Sequence, residues 1–181
     1  MSTSQRIQNL DIGVLARSRG EVQGKSTLEQ MPRLQSMCAA PAAHPVSWHL
    51  QGLLKPGPDG QDLPWMVLRV DAQLPLECVR CLHPVDQALH IVRDFRFVAD
   101  EATALAEDVD SEEDLLPLNP PLDGLSLIED ELLMAIPLLP KHDICNSEYL
   151  QTIVDGQTAG QAHPFAVLAQ WRQSGEPNNE R

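Results

Sequence analysis

Aromatic residues make up only 4% of this chain: three Phe, three Trp and one Tyr in 181 residues. A core built from them is excluded, so the apolar mass must come from Leu, Val, Ile and Ala. No apolar run approaches the roughly 20 residues of a membrane-spanning helix, and residues 1–10 lack the basic patch and apolar core of a signal peptide. A cytoplasmic protein with no membrane partner is the expectation. Four cysteines without a secretion signal then argue for reduced thiols or a metal site rather than disulfides. Basic residues are scarce as well. The net charge is −13, and no Lys or Arg falls between Arg96 and Lys141. Coating of phosphate backbones by bulk charge is thereby excluded, since it runs on Lys and Arg. The long-range field favours basic partners instead.

What is present reads as one α+β domain over 1–181, with an antiparallel sheet or meander and a few short helices. Fifteen prolines and ten glycines leave little room for long helices. Residues 1–45 are the least legible, apart from a short helix expected over Leu10 to Arg17 with Asp11 as its cap. Val46 to Leu53 reads as a strand ended by Gly52, and Lys55-Pro56-Gly57-Pro58-Asp59-Gly60 as a turn. From Trp65 a second strand begins, in which Leu68, Val70, Ala72, Leu74 and Leu76 alternate with Arg69, Asp71 and Gln73. A third strand places Val85, Leu89, Ile91, Phe95 and Phe97 on one face. Cys78-Val79-Arg80-Cys81 sits at the tip between these two strands, where two thiolates can share one metal or one redox bridge.

The second half alternates in character. Residues 100–123 are acidic and then Pro-rich, and self-repulsion predicts a mobile loop there, or an acidic mimic that docks a basic partner. Ser126-Leu127-Ile128-Glu129 reads as a capping box opening a helix, with Glu129, Asp130 and Glu131 in its first turn. Ile128, Leu132, Ala135 and Ile136 form the helix's apolar stripe, and Pro137 stops it. Capping explains these carboxylates, so no catalytic residue is assigned. Over 163–172, Pro164, Phe165, Leu168 and Ala169 suit a C-terminal docking helix.

Three blocks together carry a resemblance. They are Leu76-Glu77-Cys78-Val79-Arg80-Cys81, the run from Ile128 to Pro140 followed by His142-Asp143, and His163-Pro164-Phe165-Ala166-Val167-Leu168. The chain resembles the YceD family, the bacterial large ribosomal RNA subunit accumulation proteins. The resemblance implies a non-enzymatic ribosome biogenesis role in the synthesis, processing or stability of 23S ribosomal RNA. It also implies, as partners, the pre-ribosomal large subunit, its RNA, or basic ribosomal and processing proteins. Two rivals stay open: a zinc-dependent RNA-processing enzyme, and an acidic adaptor that meets only basic ribosomal proteins. Against the enzyme, the sequence holds no Gly-rich phosphate loop and no nucleophile elbow.

A structural zinc site needs four N or S donors. Cys78 and Cys81 supply two, and His142 and Cys145, beyond the Pro-terminated helix, are the candidates for the others. Some relatives carry a second cysteine pair in this region, where this chain has only His142 and Cys145. The alternative is a tight hairpin turn with two reduced thiols. Cys38 stands apart as a small buried hydrophobe. For RNA or a partner, Arg69, Arg80 and Arg96 are candidates for one basic surface along the hairpin.

Overall fold

Period-2 apolar patterning becomes a single sheet. In the computed structural model, which describes residues 7–39, 44–57 and 60–145, the strands are β1 (Glu21–Thr27), β2 (Pro45–Pro56), β3 (Asp62–Glu77), β4 (Pro84–Val98) and β5 (Asp114–Pro117). They lie side by side in chain order. β2, β3 and β4 form the expected antiparallel meander, β1 adds a further antiparallel strand beside β2, and β5 runs parallel to β4. Among the described residues, four short helices, α1 (Ile12–Arg17), α2 (Pro32–Met37), α3 (Glu101–Glu107) and α4 (Gly124–Ala135), complete an α+β architecture. No helix among the described residues is long and apolar enough to cross a membrane. The chain divides into two compact units, Met1–His142 and Asp143–Arg181. The docking helix expected over 163–172 lies outside the described residues.

One face of the sheet is buried. Trp48 and Leu50 of β2, Met66, Leu68 and Leu74 of β3, and Ile91, Phe95 and Phe97 of β4 join Leu34, Ile128 and Leu132 from the helices in one core. Each such side chain contributes roughly 1.5–3 kcal/mol by leaving water, against at most about 1 kcal/mol for an exposed ion pair. Apolar burial therefore fixes which face turns inward. Trp48, the one aromatic of β2, satisfies its indole N–H on the buried Ser26 hydroxyl at 3.0 Å.

Several local expectations change. β2 does not end at Gly52 but continues through it to Pro56. A Cβ there would lie 2.6 Å from the Leu15 backbone, so glycine is the residue that lets α1 lie against the strand. Asp11 caps α1 as expected, accepting from the Val14 amide at 2.8 Å. β1 shows no apolar alternation in the sequence because two of its three inward positions are Gly24 and Ser26, and only Ser26 of its seven residues is buried.

The stretch expected as a mobile loop, 100–123, is folded. It holds α3, a short 3-10 turn at Asp108–Asp110 and strand β5. Its repulsion is offset from outside. Arg96 pairs with Glu107 at 2.9 Å and approaches Glu113, and Arg93 pairs with Asp114 at 3.1 Å. Asp100 caps α3, and the amide and hydroxyl of Thr103 hold its carboxyl below the usual range. Glu113 is lowered chiefly by the Ser111 hydroxyl, with Arg96 and Lys55 adding to it.

The capping box expected at Ser126 is not formed. Asp123 is the cap of α4, accepting from the amides of Leu125 and Ser126. Ser126 thus lies inside the helix, and Glu129 is past its first turn. The buried Glu129 carboxylate instead accepts from the amides of Arg33 and Leu34, at 2.8 and 3.0 Å, at the start of α2. The Arg33 guanidinium holds the other oxygen at 2.9 Å. Here a charge from one helix caps another, which local sequence cannot disclose.

Two outcomes follow. Glu129→Ala strips acceptors from two α2 amides and should cost about 3 kcal/mol in urea unfolding. Asp130→Ala, which loses only a half-exposed pair with Arg33, should cost less than about 1 kcal/mol. Secondly, Asp100 and Glu113 have folded values below their unfolded ones, so their contribution is complete above the unfolded range near pH 4 and is lost as pH falls through the folded values. The Thr103 amide resonance should therefore shift below about pH 4 and hold steady above it.

Candidate metal centre

The β3–β4 hairpin brings its tip to the end of α4. After Glu77 and before Pro84 the chain turns through Cys78, Val79, Arg80, Cys81, Leu82 and His83. The Cys78 amide donates to the His83 carbonyl at 3.0 Å, and the Leu82 amide to the Cys78 carbonyl at 2.8 Å. Leu82 takes a left-handed conformation, φ +59°. This costs a leucine about 1–2 kcal/mol, a strain of the kind that collects at functional turns.

α4 ends at Ala135, where Ile136 turns extended before Pro137. The chain then returns to the hairpin tip. The Val79 amide donates to the Pro140 carbonyl at 3.0 Å, and the Arg80 guanidinium donates to the His142 carbonyl. These contacts deliver the His142 ring to the cysteine turn. Its Nδ1 lies 3.4 Å from the Cys81 Sγ, and its Nε2 lies 3.0 Å from the Pro84 carbonyl.

Donor atoms of Cys78, Cys81, His142 and Cys145 all fall within 4.8 Å of one another. In a tetrahedral site with Zn–S near 2.3 Å and Zn–N near 2.1 Å, sulfur and nitrogen are spaced by about 3.6 Å. The Cys81–His142 spacing fits. With Nδ1 turned to the thiolates, the Nε2–H donates to Pro84, the partner that fixes a ligating imidazole. Cys78 is fully buried, the others half-buried. Burial raises the Cys78 thiol, but amides of His142, Arg80 and Cys81, with the Cys81 thiol, donate to its sulfur and hold it down to about 5. The thiolate form that a metal needs is thus favoured before any metal arrives. Cys38 takes no part. Its thiol points to the Leu34 carbonyl at 3.5 Å, and burial raises it.

The three arginines are not gathered in this way. Arg69 is exposed in the middle of β3, opposite Val92. Arg80 sits at the tip, beyond the run from Arg69 to Glu77, roughly 26 Å of strand. Arg96 is only 14% exposed and is engaged by Glu107, Glu113 and Ser111. The sequence did single out the four cysteine and histidine residues that lie together here. It missed the Pro84 carbonyl and the strained Leu82, because backbone carbonyls carry no sequence signal and left-handed turns usually advertise themselves as Gly or Asn.

A family model described as large ribosomal RNA subunit accumulation protein YceD matches residues 66–171. The large ribosomal RNA subunit accumulation protein YceD of Haemophilus influenzae is 32% identical over 124 residues, which cover 64% of this chain and 69% of that protein. No solved structure matches. The family match runs over more than half of the chain and takes in the cysteine turn, α4 and the residues beyond it, and the chain belongs to the YceD family.

Proposed function

We propose that this protein supports the accumulation of large-subunit ribosomal RNA in the cytoplasm, without catalysis, as an assembly factor whose hairpin tip is locked by a structural zinc ion. Membership of the YceD family carries the ribosomal part of the reading. The donor set supports the rest. Four protein ligands fill a tetrahedron, whereas catalytic zinc keeps one position for water or substrate. The carboxylates of α4 are also committed, Glu129 and Asp130 to Arg33 and Glu131 to Arg93. They are poorly placed to serve as a nuclease's metal ligands.

When bound, zinc would tie the β3–β4 turn to the segment after Pro140, and closure between parts of the chain this distant limits the unfolded ensemble. Cys78 and Cys81 would hold it from the turn, with His142 and Cys145 from that later segment. The tip then becomes a rigid shape on the strongly acidic chain, suited to a pre-ribosomal large subunit with its basic proteins.

Untagged protein should carry about one zinc per chain, and Cys81→Ser protein far less. In a strain lacking the native gene, the wild-type chain should restore the ratio of large- to small-subunit ribosomal RNA, and the Cys81→Ser chain should not. Zinc-free protein that restores the ratio would refute the locked tip. Cleavage of precursor RNA by the purified protein, lost on substitution of the cysteines, would favour the enzyme instead.

A further inference from the structure

The face of the sheet opposite the core carries charges that nothing in the fold uses. Four cations of the described residues are committed: Arg33 to Glu129 and Asp130, Lys55 to Asp94 and the Trp65 ring, Arg93 to Glu131 and Asp114, and Arg96 to Glu107 and Glu113. Lys25 of β1 and Arg69 of β3 are different. Both are exposed, neither has an ion pair among the described residues, and they line the same shallow depression. Cross-strand register sets Lys25 beside Ser47 and Asp71, and Arg69 beside His49 and Val92. The two cations are thus two strands and one register step apart, roughly 12 Å between Cα atoms.

The acids nearby are already engaged. Asp71 holds the His90 ring at 2.6 Å, and Glu21 is shared by His49 and Gln51 at 3.2 and 3.0 Å. The depression is thus lined by two cations and one carboxylate, a local excess of positive charge on a chain of net charge −13. A second depression, lined by Gln73, Ala88 and His90, adjoins the first at Asp71. His90 is about two-thirds exposed, with its ring pinned by Asp71. A flat, open surface with cations, fixed rings and amide side chains is what a single nucleic-acid strand requires: phosphates meet the cations, bases stack on rings, and amides meet base edges. A short acidic peptide would use the cations but not the rings or amides between them.

We infer that the open face of the sheet binds a single strand of RNA across β1 to β4, with Lys25 and Arg69 on phosphates, His90 under a base, and Gln23 and Gln73 as hydrogen-bonding groups beside it. The choice of RNA rests on the ribosomal reading above. The surface is separate from the cysteine turn, so each can fail without the other.

Fluorescence anisotropy of the full chain with a labelled unstructured RNA of about 12 nucleotides tests it. Two phosphate contacts give a slope of roughly −1.4 in log affinity against log salt. Lys25→Ala/Arg69→Ala should weaken binding by about tenfold or more at low salt and remove most of the slope. Arg17→Ala, an exposed cation on α1, should change neither. The proposal is overturned if the wild-type chain does not bind, if the double variant binds as well as wild type, or if Arg17→Ala is equally impaired. Polyglutamate competing as effectively as RNA would also overturn it, in favour of an acidic polypeptide. If the double variant restores ribosomal RNA in cells while Cys81→Ser does not, this surface fails and the zinc-locked reading stands.

Discussion

The pairing of β3 with β4, from Trp65 opposite Arg96 to Glu77 opposite Pro84, is the constraint on which the rest of the molecule depends. Side chains alternate along a strand, so a slip of one residue would expose Leu68, Val70, Ile91 and Phe95 and bury Arg69, Asp71, His90 and Asp94. The apolar term makes that slip prohibitive. The same register puts the cysteine turn at one end of the hairpin and Arg96 at the other. It also decides that Arg69 faces solvent while Leu68 and Val70 beside it do not.

Charge acts at a second level, as a device for holding acidic segments against a sheet. Arg33, Arg93 and Arg96 each reach an acid far along the chain or across a crossover: Glu129, Glu131 and Glu107. Burial raises the Glu131 carboxyl and Arg93 pulls it back, so that pair is a compromise between desolvation and attraction. Among the described residues, these three arginines have fixed tasks, whereas Lys25 and Arg69 are in no ion pair. This is why the location of Lys25 and Arg69 on one open face is informative, although the overall charge speaks against nucleic-acid binding.

Legibility in the sequence followed the range of the interactions. Elements defined by their own residues were readable: the alternation of β3 and β4, the Asp11 cap of α1, the stop at Pro137 and the cysteine spacing. Those defined by partners far away were not. β1 has too few apolar residues to announce a strand and is placed by pairing with β2. The acidic crossover read as a loop because Arg93 and Arg96, which neutralise it, lie outside it. Glu129 looked like part of a local cap because the α2 amides it serves are nearly a hundred residues away. For the metal centre, residue types were legible, whereas the turn that lowers Cys78 and the carbonyl that orients His142 needed coordinates.

The proposed function rests on family membership and on one group of side chains at the hairpin tip. Cys78 and Cys81 from the hairpin, with His142 and Cys145 from the segment beyond α4, would close the tip around the ion. X-ray absorption at the zinc edge, on untagged protein, tests this closure most directly. A first shell of three sulfurs at about 2.3 Å and one nitrogen at about 2.1 Å is the predicted result. A shell of oxygen and nitrogen donors alone, or protein that folds and functions with no zinc, would contradict it.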